Sequence, residues 1–446
     1  MRKMIVSIVM MVLLTAMAAG CQNKEVRKET SEKITEPLLV FFDNGCEPLV
    51  QNFKAVYPNV ELEARNMNGM IEEYINKYGE PDIILGGGLQ YLAGNGYIAD
   101  ITELYEQDHE FDSGLYFKGV MEGCKVGESL FALPLTVSFP YMTIEKSKWE
   151  NSEFAFMPEN YDGLDLLQAM NVELEKAEGR ENYLVFGKEY VYFPDWLHSL
   201  GAIEEKEEGT TIDPEVFEAL YRMQLNLQRN RAENDPLVER FYLPYSPSVM
   251  GDTYLAVSFG QIAPPQTGLI LENSIYKGYN GESIKAIWRP TVGEERCYIA
   301  SMTSIGMVGA KTDQKQEAYD VLRMMMDMPI AQWVVSTGHF MDNTPCPVHI
   351  ENAKQLIEIV ETTGQEFFLD YEPNTREEMY NVPKETLSEE MKMEIYDVLD
   401  HVEVRTKDAE LLEQIQECVT PYLESNSSDH ERCYQEVMAI IDSYYN

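Results

Sequence analysis

Between Leu38 and Gly88 the chain switches repeatedly between two hydrophobic periods, and this limits its architecture more than any other feature. Leu38-Leu39-Val40-Phe41-Phe42 is a continuous apolar run of strand character. Asp43-Asn44-Gly45 breaks it, and Leu49, Val50, Phe53 and Val56 then recur at helical spacing until Pro58 stops the helix. Val60 to Ala64 alternates as a second strand, a helix follows through Tyr74 and Ile75, and Pro81-Asp82-Ile83-Ile84-Leu85 makes a third strand. Strand, helix, strand, helix, strand predicts an α/β fold with a parallel sheet and crossover helices. In such a sheet ligands gather beyond the carboxyl ends of the strands, where Asp43, Asn44 and Gly86-Gly87-Gly88 stand.

Farther on, Ser129 to Leu135 and its continuation to Ile144 read as extended. From Lys146 to Gly293 come helical stretches, such as Pro214 to Leu227, and an aromatic cluster of Tyr190, Tyr192, Phe193 and Trp196 that suits a second core. Ser283 to Trp288 and Cys297 to Val308 read as strands. Gln314 to Met328 is a helix with Ala318, Val321, Leu322 and Met325 on one face, and the tail from Leu387 to Tyr445 is helical throughout, in three segments.

The amino end carries an address. Arg2 and Lys3 flank an apolar run from Met4 to Met17, and Ala18, Ala19 and Gly20 follow, which is the grammar of an export signal. The run is shorter than the roughly 20 residues a bilayer-spanning helix needs. Ala18-Ala19-Gly20-Cys21 resembles a bacterial lipobox, which implies a diacylglycerol on the Cys21 thiol and cleavage after residue 20. Residues 21–37 are a polar tether that cannot bury enough surface to order itself. The roughly 410 residues beyond it exceed what one core usually organises, so two lobes are expected.

A net charge of -41, from 76 acidic and 35 basic residues, repels phosphate backbones and argues against nucleic-acid binding. Cysteines 46, 124, 297, 346, 418 and 433 form no CxxC pair. Outside the cytoplasm disulfides are permitted, and only Cys418 and Cys433, on adjacent terminal helices, suggest a pairing. Six scattered histidines give no metal constellation, and no motif asks for a cofactor.

The order of segments resembles the extracellular solute-binding proteins of ABC importers, in particular the sugar-binding group that includes maltose-binding protein. Leu92-Ala93-Gly94-Asn95-Gly96-Tyr97-Ile98-Ala99-Asp100-Ile101 carries the most specific part of the likeness. Gly127 to Pro134, Ile305 to Val308 with Gln316 to Tyr319, and Pro347-Val348 resemble the family's three hinge crossings, and Leu411 to Tyr445 its terminal helices broken at Ser425 to Asp429. The resemblance implies the two-lobed, type II periplasmic-binding-protein fold, with residues 38–143 and 298–345 in an amino-terminal lobe and residues 144–297 and 346–446 in a carboxyl-terminal one. It departs from the family at Tyr254 to Gly260, which lacks the tryptophan usual there.

What the resemblance implies is a monomeric, non-enzymatic receptor that closes on a solute and hands it to an ABC permease. A mono- or oligosaccharide is the expected ligand, since sugars need aromatic platforms rimmed by amides and carboxylates, and the chain holds 27 Tyr, 17 Phe and 4 Trp. Candidate ligand-binding residues are Asp43, Asn44, Gly87, Gly88, Phe139, Tyr192, Trp196, Phe259 and Tyr298. Asp43 and Asn44 equally suit a helix cap or turn, and Phe139 and Trp196 equally suit a core. A lipid on Cys21 and a short tether would keep the cleft near its permease, on the outer face of the cell membrane, most usefully in a Gram-positive cell. Two rivals stand beside this reading. One is a sensor accessory reporting the same solute to a membrane kinase. The other is an extracytoplasmic hydrolase using acid pairs such as Asp195 with Glu204 or Asp162 with Asp165. His339, Cys346 and His349 are the closest approach to a metal set.

Overall fold

A computed structural model describes residues 34, 36–145, 163–177, 184–186, 193–206, 209–229, 255–263, 284–288, 297–328, 346–363, 389–405 and 409–445. Cys21, Tyr192, Asp162 and His339 lie outside the described residues, and the side chains of Phe259 and Glu204 are outside them too. The chain divides into two compact units. The first takes in residues up to Asp112, Cys124–Leu135 and Ser304–Thr337, and the second Ser113–Gly123, Thr136–Thr303 and Gly338–Asn446.

In the first unit β1 (Leu38–Phe42) lies between β2 (Leu62–Asn66) and β3 (Ile83–Gly86), parallel to both, with Leu38 opposite Leu62 and Val40 opposite Ile83. Helix α1 (Glu47–Val56) joins β1 to β2, and α2 (Ile71–Tyr78) joins β2 to β3. Val40, Phe41 and Phe42 are buried in succession, as expected for a parallel strand covered on both faces. Two strand starts differ from the sequence reading. β2 begins at Leu62, not Val60, because Val60 N–H closes the turn after α1 on Tyr57 C=O at 3.1 Å. β3 begins at Ile83; Asp82 N–H already donates to Leu39 C=O at 2.9 Å, but Pro81 before it has no N–H with which to extend the ladder. On the far side of β3, Ile305–Val308 pairs antiparallel, Val308 opposite Ile83.

The helix Lys315–Met326 buries Ala318, Val321, Leu322 and Met325, the face its spacing predicted. It also holds a charge network at its carboxyl end. Arg323 Nε donates to Asp108 Oδ2 at 2.8 Å, Tyr319 Oη donates to the same oxygen at 3.1 Å, and the guanidinium lies 4.8 Å from the Phe111 ring centre. Burial, with the Asp108 charge beside it, pushes the Tyr319 phenol far above its ordinary range.

In the second unit five helices share one core: Gly163–Ala177, Phe193–Ser199, Pro214–Arg229, Ala409–Glu424 and His430–Tyr445. Phe193, Trp196, Phe217, Leu220 and Tyr221 meet Leu411, Ile415, Val419, Val437 and Ile441 there. The terminal helices carry these residues at i, i+4 and i+8, so each turns one stripe inward. The residues of the strand Ala132–Glu145 that belong to this unit pair antiparallel with Leu255–Ala263 and Ile284–Trp288. Leu255–Ala263 pairs parallel with Leu184–Phe186.

The tail is not helical throughout. Val402–Val404 forms a short strand parallel to Tyr298–Ala300. Valines flank Glu403, and this alternation suits a half-buried strand better than a helix. Lys118 C=O accepts from Val404 N–H at 2.7 Å, and Lys118 Nζ reaches Glu403 at 2.9 Å. Burial works against the charge on Glu403, but the Lys118 and Arg405 cations outweigh it and hold this carboxyl below its usual range. Among the described residues no helix is long and apolar enough to cross a membrane.

Candidate functional site

The carboxyl ends of β1, β2 and β3 deliver polar groups to one edge of the first unit. Asp43 follows β1; its side chain accepts from Cys46 N–H at 3.2 Å while its own N–H donates to Leu85 C=O at 3.1 Å. The Asp43 side chain therefore caps the short turn Asn44–Cys46. Asn44, exposed beside it, accepts at Oδ1 from Asn66 Nδ2 at 2.7 Å. Asn66 is the last residue of β2, so two amides from adjacent strands meet across the edge.

β3 ends in glycines. At Gly86 φ is 146°, and an added Cβ would strike the Asp43 carboxylate, so a glycine is what lets the two strand ends approach. Gly86→Ala is expected to displace the Asp43 side chain and lower the melting temperature of the first unit, which calorimetry would read. Gly87 and Gly88 are exposed with open space above them, and Gly88 adopts a φ of 81° before the helix Leu89–Gly94.

A carboxylate completes the edge. Glu72 is the second residue of α2 and Tyr91 the third of Leu89–Gly94, so both stand in first turns that start from the strand ends. Tyr97 Oη donates to Glu72 Oε1 at 2.6 Å and Tyr91 Oη at 3.0 Å. The Tyr97 hydroxyl above all, then the helix backbone and the Tyr91 hydroxyl, hold the Glu72 carboxyl below its usual range. In return Glu72 pushes the Tyr97 phenol up to about 12. Among the described residues, two acceptors here lack a hydrogen-bond partner, Glu72 Oε2 and Asn66 Oδ1. A shielded, unpaired amide oxygen such as that of Asn66 costs about 1–3 kcal/mol, which a donor from a ligand would recover. Tyr91 is half exposed and leaves ring surface beside these oxygens.

The structure brings together four of the residues expected from the sequence, Asp43, Asn44, Gly87 and Gly88, and adds Asn66, Glu72 and Tyr91. Applying the strand-end rule to β2 as well as to β1 and β3 would have found Asn66. The other three expected positions whose side chains are described lie in the second unit, packed inside. Phe139 is 1% exposed and edge-on to Phe117 at 6.1 Å between ring centres. Trp196 is 1% exposed within the helical core, and Tyr298 is 4% exposed where its N–H donates to His401 C=O. Rings covered in this way present no stacking face to a solute. Cys346 and His349 are likewise buried, and His349 packs edge-on against Tyr116.

No family model matches the chain, and no curated protein matches it in sequence. Solved structures do match in fold. The sugar-binding protein MalE from Xanthomonas citri superposes with a TM-score of 0.58 at 14% identity, over 92% of this chain and 97% of the other. A sugar transporter from Rhizobium etli, in an open conformation, gives 0.58 at 16% identity, covering 91% and 99%. An extracellular solute-binding protein of family 1 from Alicyclobacillus acidocaldarius gives 0.56 at 11% identity, covering 92% and 99%. All three are described as binding or transport proteins. At these identities the likeness is one of backbone architecture: the chain has the two-lobed, type II periplasmic-binding-protein fold of the extracellular solute-binding proteins.

Proposed function

We propose that this chain is the extracytoplasmic receptor of an ABC importer and captures a mono- or oligosaccharide. The observation that carries the reading is the pair of acceptors without a partner among the described residues, Asn66 Oδ1 and Glu72 Oε2, on a sheet edge that also offers Asn44, Asp43 and the Tyr91 ring. Sugar hydroxyls are the donors such oxygens need, and a half-exposed tyrosine suits the CH face of a pyranose. Solved structures of the same fold include a sugar-binding protein and a sugar transporter, which supports this ligand class. Cys21 supplies the anchor in this reading, with the export signal before it and the polar tether after it. The membrane permease then takes the solute when the two lobes close.

A thermal-shift screen across sugars, amino acids and polyamines tests the ligand class. A true ligand at about 100 times its Kd adds about 2.7 kcal/mol of stability. Sugars should raise the melting point, and Asn66→Ala or Glu72→Gln should weaken binding about tenfold or more. A shift with polyamines alone, acting on the acidic surface, would sink the sugar assignment.

The same site makes a prediction about pH. Because the folded-state pKa of Glu72 is depressed, its ionised form is favoured down through the ordinary carboxylate range, and the associated stability is lost only as pH falls through the lowered value. Sugar affinity measured by calorimetry should therefore stay flat from about pH 8 to about pH 5. A steady decline across that window would show that Glu72 is not the carboxylate in contact.

A further inference from the structure

Of the six cysteines in the described residues, two meet. Helices Ala409–Glu424 and His430–Tyr445 double back through Ser425–Asp429, where Asn426 takes a φ of 50° and Ser427 N–H donates to Tyr422 C=O at 3.0 Å. Cys433 begins the buried stripe Cys433, Val437, Ile441 of the last helix. Cys418 stands next to Val419 on the facing helix, half-buried and packed against the same core. The Cys433 thiol donates to the Cys418 sulfur, which lowers the Cys418 pKa below the ordinary thiol range and raises that of Cys433.

We propose that Cys418 and Cys433 are a disulfide pair, closed outside the cytoplasm by exchange with a disulfide-donating oxidant, and that the bond staples the terminal helical hairpin into the core of the second unit. The half-buried Cys418, the one of the two that solvent reaches, attacks as its thiolate one sulfur of the donor disulfide and forms a mixed disulfide, releasing the first donor thiolate. Cys433 then loses its proton and attacks the Cys418 sulfur, releasing the second donor thiolate. The donor gains two electrons, the protein loses two, and two protons pass to the donor sulfurs. Cys433 is fully buried and has no route to the donor itself, so the order of attack is fixed by exposure.

The remaining cysteines are poor competitors. Burial pushes the Cys46 thiol up to about 12 and those of Cys124 and Cys346 higher still, and it also raises Cys297. Thiols held protonated exchange slowly.

The full chain, purified reduced in detergent, is incubated with oxidised glutathione, alkylated with a maleimide and mapped by mass spectrometry. The expected result is a cross-linked peptide pair holding Cys418 and Cys433, with both lost together to alkylation and the other cysteines unchanged. Cys433→Ala should trap glutathione on Cys418, while Cys418→Ser should leave Cys433 free of glutathione. Reducing the bond should lower the melting temperature of the second unit by about 5 °C. The proposal is overturned if both thiols of the oxidised wild type still alkylate, if a glutathione adduct persists on Cys418 with Cys433 present, or if Cys433 takes up glutathione in Cys418→Ser. That last variant changes a half-buried position conservatively and keeps the test open should Cys433→Ala fail to fold. The pairing needs export but no sugar, so a failed ligand screen leaves it standing.

Discussion

Trp196→Ala should destabilise the second unit by about 3–5 kcal/mol, a loss typical of removing a fully buried aromatic side chain and leaving a cavity. The ring is 1% exposed and belongs to a core shared by five helices, two of which come from the end of the chain. Trp196→Phe, which keeps most of the volume, should cost less than half as much. Urea titration followed by circular dichroism would read both. Sugar binding should survive in Trp196→Ala at a temperature where the variant is folded, because the proposed contacts lie on the first unit. A variant of unchanged stability that had lost its sugar-induced thermal shift would return Trp196 to the ligand and remove it from the core.

The second large effect is expected at Arg323. Its side chain is 13% exposed and its partner Asp108 15%, so Arg323→Met leaves a largely buried carboxylate with no cation from Arg323 and with Tyr319 Oη and Glu110 N–H as its remaining described donors. Breaking one side of such a pair costs about 3–5 kcal/mol, much of it the penalty of the stranded charge. Replacing both, in Arg323→Met with Asp108→Leu, should recover a large part of that loss. Recovery is the informative outcome, since a pair that merely added a surface attraction would show a coupling of only about 0.2–1 kcal/mol in the four melting curves.

Much of the first unit could be read directly because its hydrophobic pattern is local. Leu38–Phe42 appears with the boundaries its apolar run implied, and the helix over Lys315–Met326 buries the predicted face. Sequence and structure differ where backbone hydrogen bonding overrides side-chain pattern. Val60 fits the alternation of β2 yet belongs to the turn, and Val402–Val404 is too short for any period to announce. The edge formed by Asn44, Asn66, Glu72 and Tyr91 was only half legible. Asp43 and the glycines follow strands whose ends are marked by turn residues, whereas Glu72 and Tyr91 become neighbours through the register of β1 with both β2 and β3. The aromatic positions in the second unit show the opposite limit. Composition supplies enough rings for a stacking platform, but nothing in a single sequence separates a ring that faces solute from one that, like Trp196 or Phe139, is enclosed.

The pairing of β3 with Ile305–Val308 has a consequence for the export proposed above. On one side β3 meets β1, synthesised just before it; on the other it waits for a segment made more than two hundred residues later. Until that segment arrives, Ile83–Gly86 is an open edge whose amides have no strand to pair with on that side. Closing so long a loop is slow even though its entropic cost grows only with the logarithm of its length. A nascent chain of this design therefore stays unfinished while it is being made, and under the proposed export that delay is useful, because a translocon threads loose polypeptide and a completed sheet would jam it.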